Sequence, residues 1–136
     1  MRVAIVGMAL LVVASQASAS SLEGHWKNPS GSVIIGIGPC GTLLCGTVKW
    51  ASAKAKADAA KGTDELVGAD LLSGVRPTED NRWAGKLFVP DQKLRVRAKL
   101  ELLSYEQLRV TGCALGKTLC KSQLWTRTDE PLPPPD

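Results

Sequence analysis

Charged and apolar side chains alternate without a break in the segment from Lys93 to Leu102, which limits the possible folds more than any other part of the chain. Its apolar members are Leu94, Val96, Ala98, Leu100 and Leu102, and its charged members are Lys93, Arg95, Arg97, Lys99 and Glu101. Successive side chains of a β-strand point to opposite faces, whereas the side chains of a helix repeat about every 3.6 residues. The segment therefore predicts a long strand with one buried face and one face in water.

Shorter runs typical of strands follow one another along most of the chain, some alternating and some, such as 32–37, rich in β-branched residues, and turn residues separate them. They lie at 22–27, 32–37, 46–50, 66–75 and 82–89, around Leu108 and Val110, and in the run that ends at Arg127. Hairpins with one apolar face close most naturally into an up-and-down barrel, because closure removes the edge strands. We therefore expect an all-β antiparallel barrel of about eight strands rather than an immunoglobulin-like sandwich, whose paired cysteines are far apart in sequence.

One segment, Ala51 to Glu65, departs from the alternation. It is rich in Ala and Lys and lacks large apolar residues. We expect a short solvated helix or a mobile loop inserted into the barrel. The final segment, residues 129–136, is rich in proline, which cannot join a sheet interior, and is predicted to be a disordered tail.

The first nineteen residues have the pattern of a secretory signal peptide. Arg2 provides the positive start, residues 3–14 form the apolar region, and Ala17-Ser18-Ala19 is a small-x-small cleavage motif. We predict cleavage near Ala19, with one barrel domain at 20–128 and a periplasmic or secreted location. No second apolar run is long enough for a transmembrane helix.

The composition and the motifs argue against several function classes. The 17 Lys and Arg residues and 13 Asp and Glu residues are scattered along the chain, without the basic cluster that nucleic-acid binding requires. The one histidine, His25, alternates toward solvent, and the sequence shows neither a spaced carboxylate pair nor a glycine-rich phosphate loop. We therefore predict no catalytic residues, no enzymatic activity and no cofactor.

The four cysteines are Cys40, Cys45, Cys113 and Cys120. Exported cysteines are normally oxidised, and these spacings match neither zinc ribbons nor redox-active Cys-x-x-Cys motifs. Loop entropy favours a long-range pair, at roughly 4.5 kcal/mol for Cys40–Cys120 against roughly 2–2.5 kcal/mol for each local pair. A hairpin nevertheless holds its own two ends close together. We therefore predict the disulfides Cys40–Cys45 and Cys113–Cys120, and no metal site.

Gly24-x-Trp26 lies in the first predicted strand and Arg127 in the last, and these strands are neighbours in a closed barrel. A guanidinium stacked on an indole ring contributes about 0.5–2 kcal/mol, and Gly24 lets backbone pass close to the ring. The combination resembles the signature of calycin barrels, which include the lipocalins and fatty-acid-binding proteins. That resemblance implies a structural role for Gly24, Trp26 and Arg127 in closing one end of the barrel.

A second resemblance covers the chain from Leu22 to Arg127. It rests on the segments "EGHWKNPSG", "CGTLLCGTVKW", "VGADLLSGV", "RWAGKLFVPDQK", "LRVTGC" and "LCKSQLWTR". In this order they resemble a family of small exported bacterial proteins catalogued as domain of unknown function 2147. The resemblance implies a calycin-like barrel and an exported location, but no particular activity.

The expected function is binding in the barrel interior. If the apolar face of the long strand points inward together with the tryptophans, the interior is apolar and either is filled by side chains or holds one small ligand. The candidate ligand-binding residues are Trp50, Trp83, Val96 and Leu100. We expect a small hydrophobic or amphipathic ligand. The alternative is an envelope protein-interaction module, such as an inhibitor of a cell-wall hydrolase, that uses the basic row from Lys93 to Lys99.

Overall fold

The structure is a computed structural model that describes residues 21–115 and 118–136, together with Val3, Ala4, Gly7 and Ala9. Most of the predicted signal peptide, including its junction at Ala19, lies outside the described residues. Within the described part of the chain, no helix is long and apolar enough to cross a membrane.

The described chain forms one closed antiparallel barrel in which each strand pairs with its neighbour in sequence. The strands are β1 Gly24–Lys27, β2 Val33–Cys40, β3 Leu43–Ala51, β4 Asp70–Glu79, β5 Arg82–Val89, β6 Leu94–Leu102, β7 Gln107–Ala114 and β8 Leu119–Arg127. Pairing of β1 with β8, where Trp26 lies opposite Arg127, completes the closure. The predicted eight-stranded up-and-down barrel is confirmed.

The alternation in β6 determines which face of the sheet is covered. Ala98 and Leu100 are buried inside the barrel, and Arg95, Arg97 and Lys99 are exposed on its outer surface. The strand is held on both sides by regular pairing with β5 and β7. A one-residue slip of this strand would exchange its two faces, so the sequence pattern specifies its register strongly.

The segment between β3 and β4 contains a short helix, α1 Ala53–Ala59. The Ser52 side chain caps its first turn by accepting a hydrogen bond of 3.1 Å from the backbone N–H of Ala55. Ala59 is buried, and α1 contacts a 3-10 turn, Pro90–Gln92, that joins β5 to β6. The helix alternative for the Ala/Lys-rich segment is thus correct, and the helix packs across one end of the barrel.

The two ends of the barrel differ and are called the Arg127 end and the helix end. The Arg127 end comprises the β2–β3, β4–β5 and β6–β7 turns, the start of β1 and the end of β8. The helix end comprises the β1–β2 turn, the end of β7, the start of β8, the segment with α1, and the 3-10 turn. Large buried side chains occupy the barrel toward the Arg127 end: Leu22, Trp26, Val75, Trp83, Leu100 and Leu108.

Candidate ligand cavity

At the Arg127 end, the guanidinium of Arg127 lies between two aromatic rings. Its central carbon is 4.3 Å from the ring centroids of both Trp26 and Tyr105. Its Nε donates to the Tyr105 carbonyl at 2.7 Å, its Nη1 donates to the Glu23 carbonyl at 2.7 Å, and its Nη2 donates to the Ser21 carbonyl. One side chain therefore ties the start of β1 and the β6–β7 turn to the end of β8.

The close approach of Arg127 depends on Gly24. A Cβ built at Gly24 would lie 2.6 Å from Arg127 Nη1, and Gly24 has a φ of +135°, which residues with side chains rarely adopt. Trp26 is fully buried, and its Nε1 donates to the Leu22 carbonyl at 2.9 Å. The structure thus brings together the three residues that the sequence assigns to barrel closure.

Tyr105 also belongs to this cluster, although no pattern in the sequence points to it. The residue lies in the β6–β7 turn, outside the alternating segments, and its side chain is 65% exposed. Strand periodicity provides no information about a turn residue. Only the position of that turn next to the end of β8 shows that the ring covers the guanidinium.

A cavity of about 490 Å³ opens at the helix end of the same barrel. Its apolar walls are Val33, Ile35, Leu87, Val96, Val110 and Trp125. Polar side chains line its mouth: Asn28, Asp91, Gln92, Lys121 and Gln123. A mostly apolar pocket of about 300–1,000 Å³ with a few polar groups is the usual form of a small-molecule site.

The four candidate ligand-binding residues occupy different places. Val96 lines the cavity. Trp83 and Leu100 are buried in the packed half toward the Arg127 end and do not line it. Trp50 does not line it either. Among these four residues, only Val96 lines the cavity, and the ligand-binding role of all four stays a prediction.

A β-bulge explains the position of Trp50. Ile35 pairs with Val48 but Ile34 pairs with Trp50, so β3 has one extra residue at this point. Such a residue reverses the alternation, and Trp50 consequently faces away from the side occupied by Val48. The expectation that Trp50 points inward rested on uninterrupted alternation, which the bulge breaks.

The outer position of Trp50 brings it next to the proline-rich tail. Its Nε1 donates to the Pro134 carbonyl at 3.0 Å. Asp136 lies at the start of α1, where its Oδ2 accepts from the Ala53 backbone N–H at 2.8 Å and its backbone oxygen accepts from Lys56 Nζ at 2.9 Å. Residues 129–136 contain no helix or strand, and their predicted disorder stays a prediction.

Two disulfides fasten opposite ends of the barrel. Cys40–Cys45 closes the β2–β3 hairpin at the Arg127 end, with Cα atoms 5.5 Å apart. Cys113–Cys120 joins directly opposed residues of β7 and β8 near the helix end, with Cα atoms 4.1 Å apart. The described chain contains no free cysteine.

The histidine and the carboxylates do not form a metal site in the described residues, where no group of three potential His, Cys, Asp or Glu ligands is close enough. His25 lies instead beside a shallow groove of about 280 Å³ that also includes Lys49, Thr47 and Asp70. Within it, Thr47 Oγ1 donates to Asp70 Oδ1 at 2.7 Å. This groove lies on the outer surface, away from the interior cavity.

Comparisons with known proteins agree with this architecture. No curated protein matches the chain. A solved structure described as "Protein HP1028 from the human pathogen Helicobacter pylori belongs to the lipocalin family" superimposes with a TM-score of 0.61 at 11% identity, covering 80% of this chain and 84% of that one. At this identity the likeness shows the fold alone. A family model described as "Uncharacterized protein conserved in bacteria" matches residues 24–127, and the chain therefore belongs to the domain of unknown function 2147 family, with a lipocalin-like barrel.

Proposed function

We propose that this protein is an exported, non-enzymatic binding protein that holds a small apolar or amphipathic ligand inside its barrel. The observation that carries the proposal is the cavity of about 490 Å³ at the helix end. Burial of apolar ligand surface against its walls contributes about 25 cal/mol per Å², which is the main source of affinity in such a site. The lipocalin-like fold supports this proposal.

The proposal of export rests on two independent features. The start of the sequence has the charged, apolar and small-residue regions of a signal peptide. The barrel also contains two disulfides, which persist in oxidising compartments and are rare in the cytosol. Cell fractionation of the source organism tests the export, because cleavage near Ala19 gives a shortened chain in the periplasmic or extracellular fraction.

Native mass spectrometry of protein purified from its own periplasm provides the direct test of ligand binding. We expect a bound molecule of small mass, or uptake of fatty acids and hydrophobic dyes by the stripped barrel. A barrel that is purified empty and takes up neither class of probe would contradict the proposal.

A matched pair of variants locates the binding in the interior. Val96→Trp places a large ring in the cavity, whereas Arg97→Trp places the same ring on the outer surface of the same strand. We expect Val96→Trp to abolish dye binding and Arg97→Trp to leave the dissociation constant unchanged. Equal dye binding by both variants would place the binding site elsewhere on the protein.

The outer face of β6 supports a second candidate function, an envelope protein-interaction module. Arg97 and Lys99 are exposed on this face, and neither forms an ion pair with an acidic group of the described chain. An acidic partner, such as a cell-wall hydrolase, would complement this charge. The test compares capture from envelope extract by the wild type and by Arg97→Glu/Lys99→Glu. A partner retained equally by both would remove this face from consideration.

A further inference from the structure

Strand β8 places polar side chains at the mouth of the cavity. Leu119, Lys121, Gln123 and Trp125 alternate along its inner side, and all four line the cavity. The intervening residues face outward, as shown by Ser122, whose hydroxyl is 2.7 Å from that of Thr111 on the exposed surface. Residues two apart on a strand are about 6.5–7 Å apart, so Lys121 and Gln123 lie within reach of one small chemical group.

The hydrogen bonding of Gln123 determines what its amide offers to a ligand. Trp125 Nε1 donates to Gln123 Oε1 at 3.1 Å. An indole N–H is only a donor, so the amide oxygen must face Trp125 and the NH₂ group must point away from it. No acceptor for this NH₂ group occurs among the described residues. Gln123 therefore presents hydrogen-bond donors to the cavity.

Lys121 presents donors of the same kind together with a positive charge. It lies opposite Gly112 on β7, and both residues line the cavity. Within the described chain its ammonium group has neither an ion-pair partner nor a hydrogen-bond acceptor. The side chain is exposed, so it remains hydrated until a ligand arrives.

We propose that the cavity selects amphipathic ligands with an anionic head group rich in oxygen acceptors, such as a carboxylate or a phosphate monoester. Lys121 and Gln123 would donate to the head group at the mouth, while the alkyl chain lies against Val96, Val110 and Trp125. Hydrogen bonds between charged groups are roughly twice as strong as neutral ones, so charge dominates the selection. This inference rests on the proposed ligand-binding function and specifies the chemical class of the ligand.

Asp91 opposes this selection. It lies in the 3-10 turn on the other side of the mouth and also lines the cavity. No cation of the described chain forms an ion pair with it. Because its negative charge repels an anionic head group, Asp91→Asn should strengthen binding of an anion and leave binding of a neutral ligand unchanged. Neutralising Lys121 should therefore weaken the binding of an anion, whereas neutralising Asp91 should strengthen it.

The experiment compares three probes of equal chain length by displacement of a hydrophobic dye: dodecanoate, dodecyl phosphate and dodecanol. We expect the wild type to bind both anions about tenfold more tightly than the alcohol, which corresponds to about 1.4 kcal/mol. Lys121→Met should remove most of this preference while leaving the affinity for dodecanol unchanged. Lys121→Arg should retain the preference, and Gln123→Leu should reduce it about two- to threefold.

Lys99→Met is the matched control, because it removes one positive charge from the outer face of β6. It should leave all three affinities unchanged. If the wild type binds dodecanol as tightly as the anions, or if Lys121→Met does not alter the ratio, the head-group proposal is overturned while the cavity proposal stands. If the wild type binds none of the probes, both proposals fail. A preference for one anion over the other identifies the head group as carboxylate or phosphate.

Discussion

The two ends of this barrel are built from the same eight strands but are filled in opposite ways. At the Arg127 end, Trp26, Trp83 and Leu108 are buried, and the Arg127 guanidinium lies between the rings of Trp26 and Tyr105. At the helix end, the inward positions of β7 include Gly112 and Ala114, and a cavity remains. The difference shows that side-chain volume at inward positions, rather than strand number, determines whether a small barrel is filled.

The two ends also use polar groups differently. At the Arg127 end, each guanidinium nitrogen donates to a backbone carbonyl, so the guanidinium holds strands and turns together. At the helix end, the donors of Lys121 and Gln123 have no acceptor in the described chain. Polar groups whose hydrogen bonds are all made within the protein indicate a structural role in closing the barrel. Donors at a cavity mouth that have no acceptor in the protein are available to a ligand.

Trp26→Ala, at the Arg127 end, should lower the free energy of unfolding more than the other changes considered below. Trp26 is fully buried, and replacing a buried Trp by Ala costs about 3–5 kcal/mol because apolar contacts are lost and a void remains. The free energy of unfolding, measured by urea denaturation, should fall by this amount. A loss below about 1 kcal/mol would show that this end is not the packed half of the core.

Removing each disulfide separately compares the two hairpins. Cys40→Ala/Cys45→Ala and Cys113→Ala/Cys120→Ala should each lower the free energy of unfolding by about 2–2.5 kcal/mol, because both loops are short. Only the second pair should weaken dye binding, since its hairpin contains Ala114 and Lys121. Dye binding that changes equally in both variants would argue against a ligand site confined to the helix end.

Two glycines allow a comparison on a smaller scale. Gly24→Ala combines an unfavourable φ with a Cβ 2.6 Å from Arg127 Nη1, and should cost about 1–3 kcal/mol. Gly112→Ala places its Cβ 3.2 Å from a Val96 methyl group and 3.3 Å from Leu87 Cδ2, next to the cavity where these side chains have room to shift. Its cost should be below about 1 kcal/mol. The reverse order in thermal melts would contradict the comparison.

The smallest effect is expected for Tyr105→Leu. The ring is 65% exposed, and exposed cation–π contacts contribute about 0.5–1 kcal/mol. The Tyr105 carbonyl still accepts from Arg127 Nε in this variant, because the bond involves backbone. A loss of stability near 0.5 kcal/mol with unchanged dye binding would show that the ring only covers the closed end.

Most of the fold was predictable because strand alternation is a local property. The β6 pattern was sufficient to separate buried Leu100 from exposed Arg97, and the spacing of the cysteines placed both pairs at hairpins. The site was less predictable. The sequence favours Trp83 and Leu100 as ligand contacts because they are apolar and inward, but alternation contains no information about distance from either barrel end. The inward orientation that alternation predicts for Trp50 is wrong, because a bulge cannot be detected from its own strand.

The sequence alone is enough to specify a closed antiparallel barrel with local disulfides, because backbone geometry converts a two-residue period directly into two faces. The location of empty space depends instead on register, since side chains from strands far apart in the chain must meet at the same height in the barrel. Register sets Lys121 opposite Gly112 and brings the β6–β7 turn, with Tyr105, up to Arg127. These contacts depend on the register of several strands at once, so they can be identified only in the assembled sheet.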